Sequence, residues 1–361
     1  MGPGPSNVHP RVLEAMSRPT IGHLDPKFIE LMDEIKGLLK YAFQTENEVT
    51  FAVSGPGSVG METCLVNLVE PGSEVLVCIN GVFGGRMKSI VERCDAKPIV
   101  VNNPWGSAVD LNLFEDTLKN NKAITVCVFV HAETSTGAKS NIKALTEIAH
   151  QHNCLVIADT VTSLGGIPLK IDEWNIDVAY SGSQKCLSCP PGLAPITFNS
   201  RAVEFIKNRE NIVQSWFMDL NLVLGYWGKG AKRAYHHTAP INSLYALHES
   251  LLLLKEEGIE NSWSRHQKNG DELVSELEKI GLKPFVKVNE RLPQLTSTTI
   301  QDGIDDASVR KSLLQKYNIE IGAGLGDLSG KVWRIGLMGY SSNEENINAC
   351  VRALNELINK N

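Results

Sequence analysis

The chain has 361 residues, 42% of them hydrophobic and 21% charged, with a net charge of −6 and no long run of lysine or arginine. That length exceeds one compact core and calls for two domains, while the composition is that of a soluble globular protein and disfavours nucleic acid or an anionic membrane surface as the main partner. No apolar stretch approaches the roughly 20 residues that span a bilayer, and no charged-then-apolar leader opens the chain.

Residues 2–7, GPGPSN, hold two prolines and two glycines and are expected to form an extended arm that no helix absorbs. Apolar residues recur at helical spacing from Pro26 to Phe43, which predicts a packing helix. Residues 51–53 read as a strand, followed by the glycine-rich turn 54–58 and a helix through Met61, Leu65 and Leu68. Backbone N–H groups at the start of such a helix suit a phosphate, although similar turns also serve as plain connections. Residues 75–79 form the next strand, and Phe83 just beyond it is either core or a plate on which a flat heterocycle stacks.

A continuous apolar run at 125–130 reads as a buried parallel strand and ends in the hydroxyl-rich segment 131–137. After a helical pattern at 141–152, residues 155–159 form another strand that closes on Asp159. An aspartate at a buried strand end needs a cationic or donating partner, and a pyridinium nitrogen is one. Twenty-six positions on, SGSQK (181–185) follows the apolar run 176–180 and leads into Pro190-Pro191-Gly192. Lys185 therefore sits among small uncharged residues, where desolvation lowers its pKa towards the neutral amine that attacks a carbonyl. Pyridoxal phosphate chemistry needs both groups, a lysine for the aldehyde and an acid opposite the ring nitrogen. Ser54, Phe83, Thr134, Asp159 and Lys185 all fall at C-terminal strand ends, where sites gather on parallel sheets.

The chain continues with YHHT (235–238) and a long helical pattern through Leu244, Leu247, Leu251 and Leu254. Its character changes near Gly258, where a polar helix (263–280), a strand (295–300), a helix (309–317) and the glycine-rich segment 322–326 suggest a small α+β domain. Arg334 lies inside the apolar strand 333–337 and needs an anion, either a protein carboxylate or a ligand's. The eight cysteines are scattered and several lie in apolar runs, the usage of small core residues in a reducing compartment. Cys186 and Cys189 have CxxC spacing but no second pair and no histidine at ligand spacing, so no metal is expected.

Eight stretches in order resemble the fold-type I, class V aminotransferases, and within them the alanine–glyoxylate and serine–pyruvate aminotransferase group. They are GPGPSN (2–7), FQTEN (43–47), NGVFGGR (80–86), HAETSTG (131–137), ADTVTSLGG (158–166), SGSQK (181–185), YHHT (235–238) and RIGLMG (334–339), so the resemblance covers nearly the whole chain. It implies an α/β fold with a mostly parallel seven-stranded sheet in a large domain and a small C-terminal α+β domain. The expected limits are 1–20 for an N-terminal arm, 21–257 and 258–361.

The resemblance also implies the cofactor pyridoxal 5′-phosphate, held by Lys185 with Asp159 at the pyridine nitrogen and Gln184 beside it. Phe83 would stack on the ring, Thr134 would donate to the phenolate oxygen, and Gly57 and Ser58 would hold the phosphate. Tyr235 and Thr238 would reach the phosphate of a neighbouring subunit, making the catalytic unit a homodimer. Ser6, Asn7 and Arg334 would hold the substrate. The chain departs from close relatives at Pro56, Ser58, Phe83 and Thr134, where serine, histidine, tryptophan and serine are common. The implied reaction transfers the amino group of alanine or serine to glyoxylate, with 3-hydroxykynurenine transamination as the alternative. Cysteine desulfuration would need a cysteine on the loop 322–330, which has none. The expected location is intracellular: cytoplasmic, peroxisomal or mitochondrial. Residues 358–361 are not an SKL-type address, and Met1 before GPGPSN leaves open whether a leader precedes it.

Overall fold

The computed structural model describes residues 1–228 and 233–359, so the last two residues of the C-terminal tetrapeptide, Lys360 and Asn361, lie outside the described residues. In chain order come α1 (Pro10–Met16), α2 (Pro26–Phe43), β1 (Val49–Ser54), α3 (Gly57–Leu68), β2 (Glu74–Ile79), α4 (Val82–Arg93), β3 (Lys97–Asn102), α5 (Leu111–Asn120) and β4 (Ile124–Val130). A short hairpin of β5 (Ala132–Glu133) and β6 (Ala138–Lys139) precedes α6 (Ile142–Gln151), β7 (Leu155–Asp159), β8 (Val178–Tyr180), β9 (Leu193–Phe198), α7 (Ser200–Lys207), α8 (Leu220–Trp227) and α9 (Ile241–Glu257). The remainder is α10 (Ile259–Lys279), β10 (Leu295–Thr299), α11 (Asp306–Tyr317), β11 (Gly322–Ala323), β12 (Val332–Gly336) and α12 (Glu344–Ile358).

Among the described residues, seven strands form one sheet in the order β1-β9-β8-β7-β4-β2-β3. β9 runs antiparallel to β1 and β8, and every other neighbouring pair is parallel. β7, β8 and β9 are buried at every position, which requires cover on both faces. This is why their apolar runs read as continuous rather than alternating. A second sheet, β10-β12-β11, is antiparallel. Two large cores go with the two sheets, one drawn from residues between Val12 and Trp263 and the other from residues between Leu273 and Leu354, and a third, smaller cluster takes residues from both ranges.

Local chemistry sets the boundaries of the elements. Asp25 caps α2 by accepting from the Lys27 N–H, Pro26 occupies the first helical position, and Gln44 ends the helix in the left-handed region at φ 54°. The arm differs in part from its expected form. Residues 2–7 are irregular, but α1 follows them within the span expected to be arm. It is only seven residues long, is held by Pro10 at its first turn and by the His9 side chain, and buries Val12 and Ala15. Its packing is against α9. A helix this short forms through that burial and not through propensity, so no periodicity reveals it. Likewise α10 starts four residues before the polar pattern does, because Ile259 and Ser262 are buried.

Candidate active site

The C-terminal ends of the parallel strands converge on a cavity of about 130 Å3. It brings together Gly57, Ser58, Phe83, Thr134, Asp159, Gln184 and Lys185, seven of the residues singled out from the sequence. Asp159 closes β7, Lys185 lies on the loop after β8, and Gly57 opens α3 just beyond β1. A larger cavity of about 220 Å3 lies behind the lysine loop, between α1, α9 and α10. Its charged pair, Arg265 and Glu257, is already joined at 2.6 Å, so it offers no free charge to a ligand.

Lys185 is 9% exposed. Burial lowers its pKa to about 8, with Cys186 and Asp159 opposing that shift and the Arg334 charge adding to it. Its Nζ donates to the Pro3 carbonyl of the arm. Gly4 next to it has φ +103°, and a Cβ there would lie 2.5 Å from Nζ, so only glycine lets the arm cross the lysine. The loop itself is pinned by Ser6: its N–H donates to the Gln184 carbonyl at 2.9 Å and its hydroxyl to the Lys185 carbonyl at 2.7 Å. The Ser6 hydroxyl also lies 3.2 Å from Ser188 Oγ, which in turn accepts from the Tyr340 N–H at 2.7 Å.

Asp159 is buried, and burial raises its pKa to about 6 against two hydrogen bonds. Tyr180 donates its hydroxyl to one carboxylate oxygen at 2.7 Å, and the Val161 N–H donates to the other at 2.9 Å. Tyr180 faces Asp159 across the parallel β7–β8 pair, so the sheet register aims the carboxylate. Held this way it remains an acceptor for a protonated ring nitrogen. At the other end of the cavity the start of α3 has no side-chain cap, because Pro56 occupies that position. The N–H groups of Gly57 and Ser58 therefore lack a capping side chain.

Two side walls complete the site. Phe83 lies in the first turn of α4, where its N–H donates to Glu133 Oε2 at 3.3 Å. Thr134 Oγ1 lies 2.6 Å from Thr162 Oγ1. Gln184 Oε1 is buried without a protein partner. A flat wall, an uncapped helix start, a buried acid and a desolvated amine are the groups that a planar, anionic aldehyde cofactor requires. The residues fit pyridoxal phosphate.

Other candidates lie outside the cavity lining. Arg334 is buried in β12, donates to the Ala323 carbonyl at 2.7 Å and to the Thr134 carbonyl at 3.2 Å, and has no carboxylate partner among the described residues. Burial lowers its pKa, and Glu133 opposes that. Asn7 is exposed, and its N–H donates to Ser341 Oγ at 3.0 Å. Tyr235 and Thr238 do not meet the cavity of their own chain: both are exposed, with their hydroxyls 3.4 Å apart. Their neighbour His237 has Nε2 2.7 Å from Ser54 Oγ at the end of β1, and burial holds its pKa down at about 4.

Sequence reasoning missed Arg86, Tyr180 and Glu133. Arg86 lines the cavity, Tyr180 orients Asp159, and Glu133 is fully buried with its pKa raised by burial to about 7. Tyr180 was within reach, since it ends the strand paired with the one that Asp159 ends.

Residues 3–348 match the aminotransferase class-V family. The chain belongs to the class-V aminotransferases. It is an aminotransferase of fold-type I, the architecture its solved neighbours share. Rat alanine–glyoxylate aminotransferase is 42% identical over 99% of this chain and 87% of the rat protein. A crystal structure of alanine–glyoxylate aminotransferase from Nostoc is 47% identical, with a TM-score of 0.97 over 99% of this chain and 94% of that one. The ureidoglycine–glyoxylate aminotransferase of Bacillus subtilis is 38% identical, with a TM-score of 0.96 over 99% of this chain and 92% of that one. No described helix is long and apolar enough to cross a membrane.

Proposed function

We propose that this class-V aminotransferase uses pyridoxal 5′-phosphate to move the amino group of a small amino acid, alanine or serine, to glyoxylate. The observation that carries the reading is the pairing of a desolvated lysine and a buried, hydrogen-bonded aspartate in one cavity. Glyoxylate occurs in the names of the rat, Nostoc and Bacillus relatives, whereas the donor differs between them, so the acceptor is the better supported half. Bound pyridoxal phosphate supplies an aldehyde that takes up the donor's nitrogen and a ring that accepts electrons when the donor's Cα loses its proton.

Lys185 holds the cofactor through Nζ and, once released, carries the proton to and from the substrate's Cα. An amine pushed to about 8 is suited to both directions near neutral pH. Asp159, fixed by Tyr180 and the Val161 N–H, holds the proton on the ring nitrogen. Phe83 supplies the stacking face, Thr134 donates to the ring oxygen, and Gly57 and Ser58 receive the phosphate at the helix start, with Gln184 alongside. Arg334 takes the substrate carboxylate, with Ser6 and Asn7 on the arm closing that end. Arg334, held in place by the Ala323 and Thr134 carbonyls, favours a substrate that carries a carboxylate. The unit is a homodimer in which Tyr235 and Thr238, exposed in their own chain, serve the partner's site.

The test is a half-reaction. Protein loaded with pyridoxal phosphate is mixed with alanine, serine or 3-hydroxykynurenine, one at a time and without any 2-oxo acid, and its visible absorbance is followed. Loss of the band with alanine or serine and its return on adding glyoxylate is the expected result. Bleaching by 3-hydroxykynurenine alone would replace this reading with the aromatic donor.

A further inference from the structure

The phosphate end of the cavity is short of charge. α3 offers the Gly57 and Ser58 N–H groups, but Pro56 before them has no N–H, and a helix start carries only about half an elementary charge. A phosphate monoester carries between one and two negative charges near neutral pH, so the helix alone leaves most of it unbalanced. The one other cation lining the cavity besides Lys185 is Arg86, on α4.

Arg86 is placed by two contacts. Its Nη1 donates to Ser58 Oγ at 3.0 Å, which draws the guanidinium to the start of α3. Its Cζ lies 5.2 Å from the centroid of the Phe83 ring, a cation–π contact along one helix face, since the two residues are three apart. No carboxylate pairs with it among the described residues, and its remaining N–H groups are available to an anion's oxygens. The Arg86 charge also reaches Asp159, which it helps to keep ionised. Arg86 and Ser58 are both exposed at the rim of the cavity, and their hydrogen bond holds the guanidinium against an uncapped helix start.

We propose that Arg86 is the cation that binds the cofactor's phosphate, with Ser58 as the hinge that aims it and Phe83 as the plate that supports it. This rests on the pyridoxal phosphate reading above. A guanidinium here supplies two parallel N–H donors to phosphate oxygens, which the helix start does not.

The test compares two aldehydes that differ only in the phosphate. Cofactor-free wild type, Arg86→Gln and Arg86→Lys are titrated with pyridoxal phosphate and with pyridoxal, following quenching of intrinsic fluorescence. For Arg86→Gln, pyridoxal phosphate should bind about 10- to 100-fold more weakly while pyridoxal binding changes less than about twofold, because a charge-assisted contact to the phosphate alone is lost. Arg86→Lys should recover part of the difference. Inorganic phosphate should compete with pyridoxal phosphate on wild type and much less on Arg86→Gln. Equal weakening of both aldehydes would make Arg86 a support for the ring and overturn the proposal, as would unchanged binding of both. Wild type that binds neither aldehyde would instead overturn the cofactor reading itself.

Discussion

Lys185 sits in a place that disfavours its own charge. Burial brings its pKa from 10.5 to about 8, so the folded protein at pH 7 holds an ammonium where an apolar side chain would be more stable. Because the folded value is the depressed one, the stability that this residue contributes is complete above the unfolded value of 10.5 and is lost as pH falls through about 8. Lys185→Met should therefore stabilise the cofactor-free protein by roughly 2 kcal/mol at pH 7, net of the hydrogen bond to the Pro3 carbonyl. Thermal unfolding from pH 7 to 9.5 checks the sign: the advantage of the variant should shrink as pH rises above 8. The same value sets how fast the amine reacts with an aldehyde. Cofactor capture by wild type should accelerate with pH and level off above about 8, as stopped-flow absorbance would record, rather than continue to rise towards the pKa of a free lysine. Asp159 and Lys185 are legible in the sequence because a charge that closes an apolar run is costly to bury unless a partner or a ligand compensates it. Arg86 is not, because an arginine on an amphipathic helix looks like any solvated residue until the start of α3 is seen beside it.

At the scale of elements, the hairpin of β5 and β6 caps α4 and so fixes the turn that carries Phe83. Ser135 Oγ accepts from the Val82 N–H at 3.0 Å, and Glu133 accepts from the Phe83 N–H and from both the N–H and the hydroxyl of Ser135. Gly81 makes the approach possible: a Cβ there would lie 2.4 Å from Glu133 Cδ and 2.5 Å from Ser135 Oγ. Gly81→Ala should push the cap away, destabilise the protein by about 1–3 kcal/mol in chemical denaturation, and weaken the binding of pyridoxal and pyridoxal phosphate alike, since the ring wall moves. A loss confined to pyridoxal phosphate would contradict that. This cap has no sequence signature, because its donors and acceptors lie some 50 positions apart and meet only through the sheet. Long periodic elements are different. The pattern from Pro26 to Phe43 returns as α2 with the same limits, because an Asp-Pro start and a left-handed end are local chemistry. α1 escapes notice because seven residues with two buried positions show no period.

Across the whole molecule, the N-terminal arm joins what the two cores separate. The Gly336 N–H in β12 donates to the Met1 carbonyl, Ser6 pins the Lys185 loop, and the Asn7 N–H donates to Ser341. The arm therefore ties the second sheet to the loop that carries Lys185. The parallel sheet is readable from alternating strands and helices, and the convergence of its strand ends gathers seven of the expected residues in one cavity. What one chain leaves unreadable is the role of Tyr235 and Thr238, which lie on its outer surface. If they complete the partner's site, mixing inactive Lys185→Ala chains with Tyr235→Ala chains should restore activity, since each hybrid dimer carries one site with neither change. Activity no higher than the sum of the separate variants would assign Tyr235 to its own chain or to no site.

The most direct measurement is to find where the cofactor attaches. Protein loaded with pyridoxal phosphate is reduced with borohydride, digested, and its peptides are weighed and sequenced by mass spectrometry. The expected result is one phosphopyridoxyl group on Lys185 and none on a Lys185→Arg variant treated in parallel. A label on another lysine, or one spread over surface lysines and unchanged in the variant, would contradict the assignment of Lys185 and the reaction built on it.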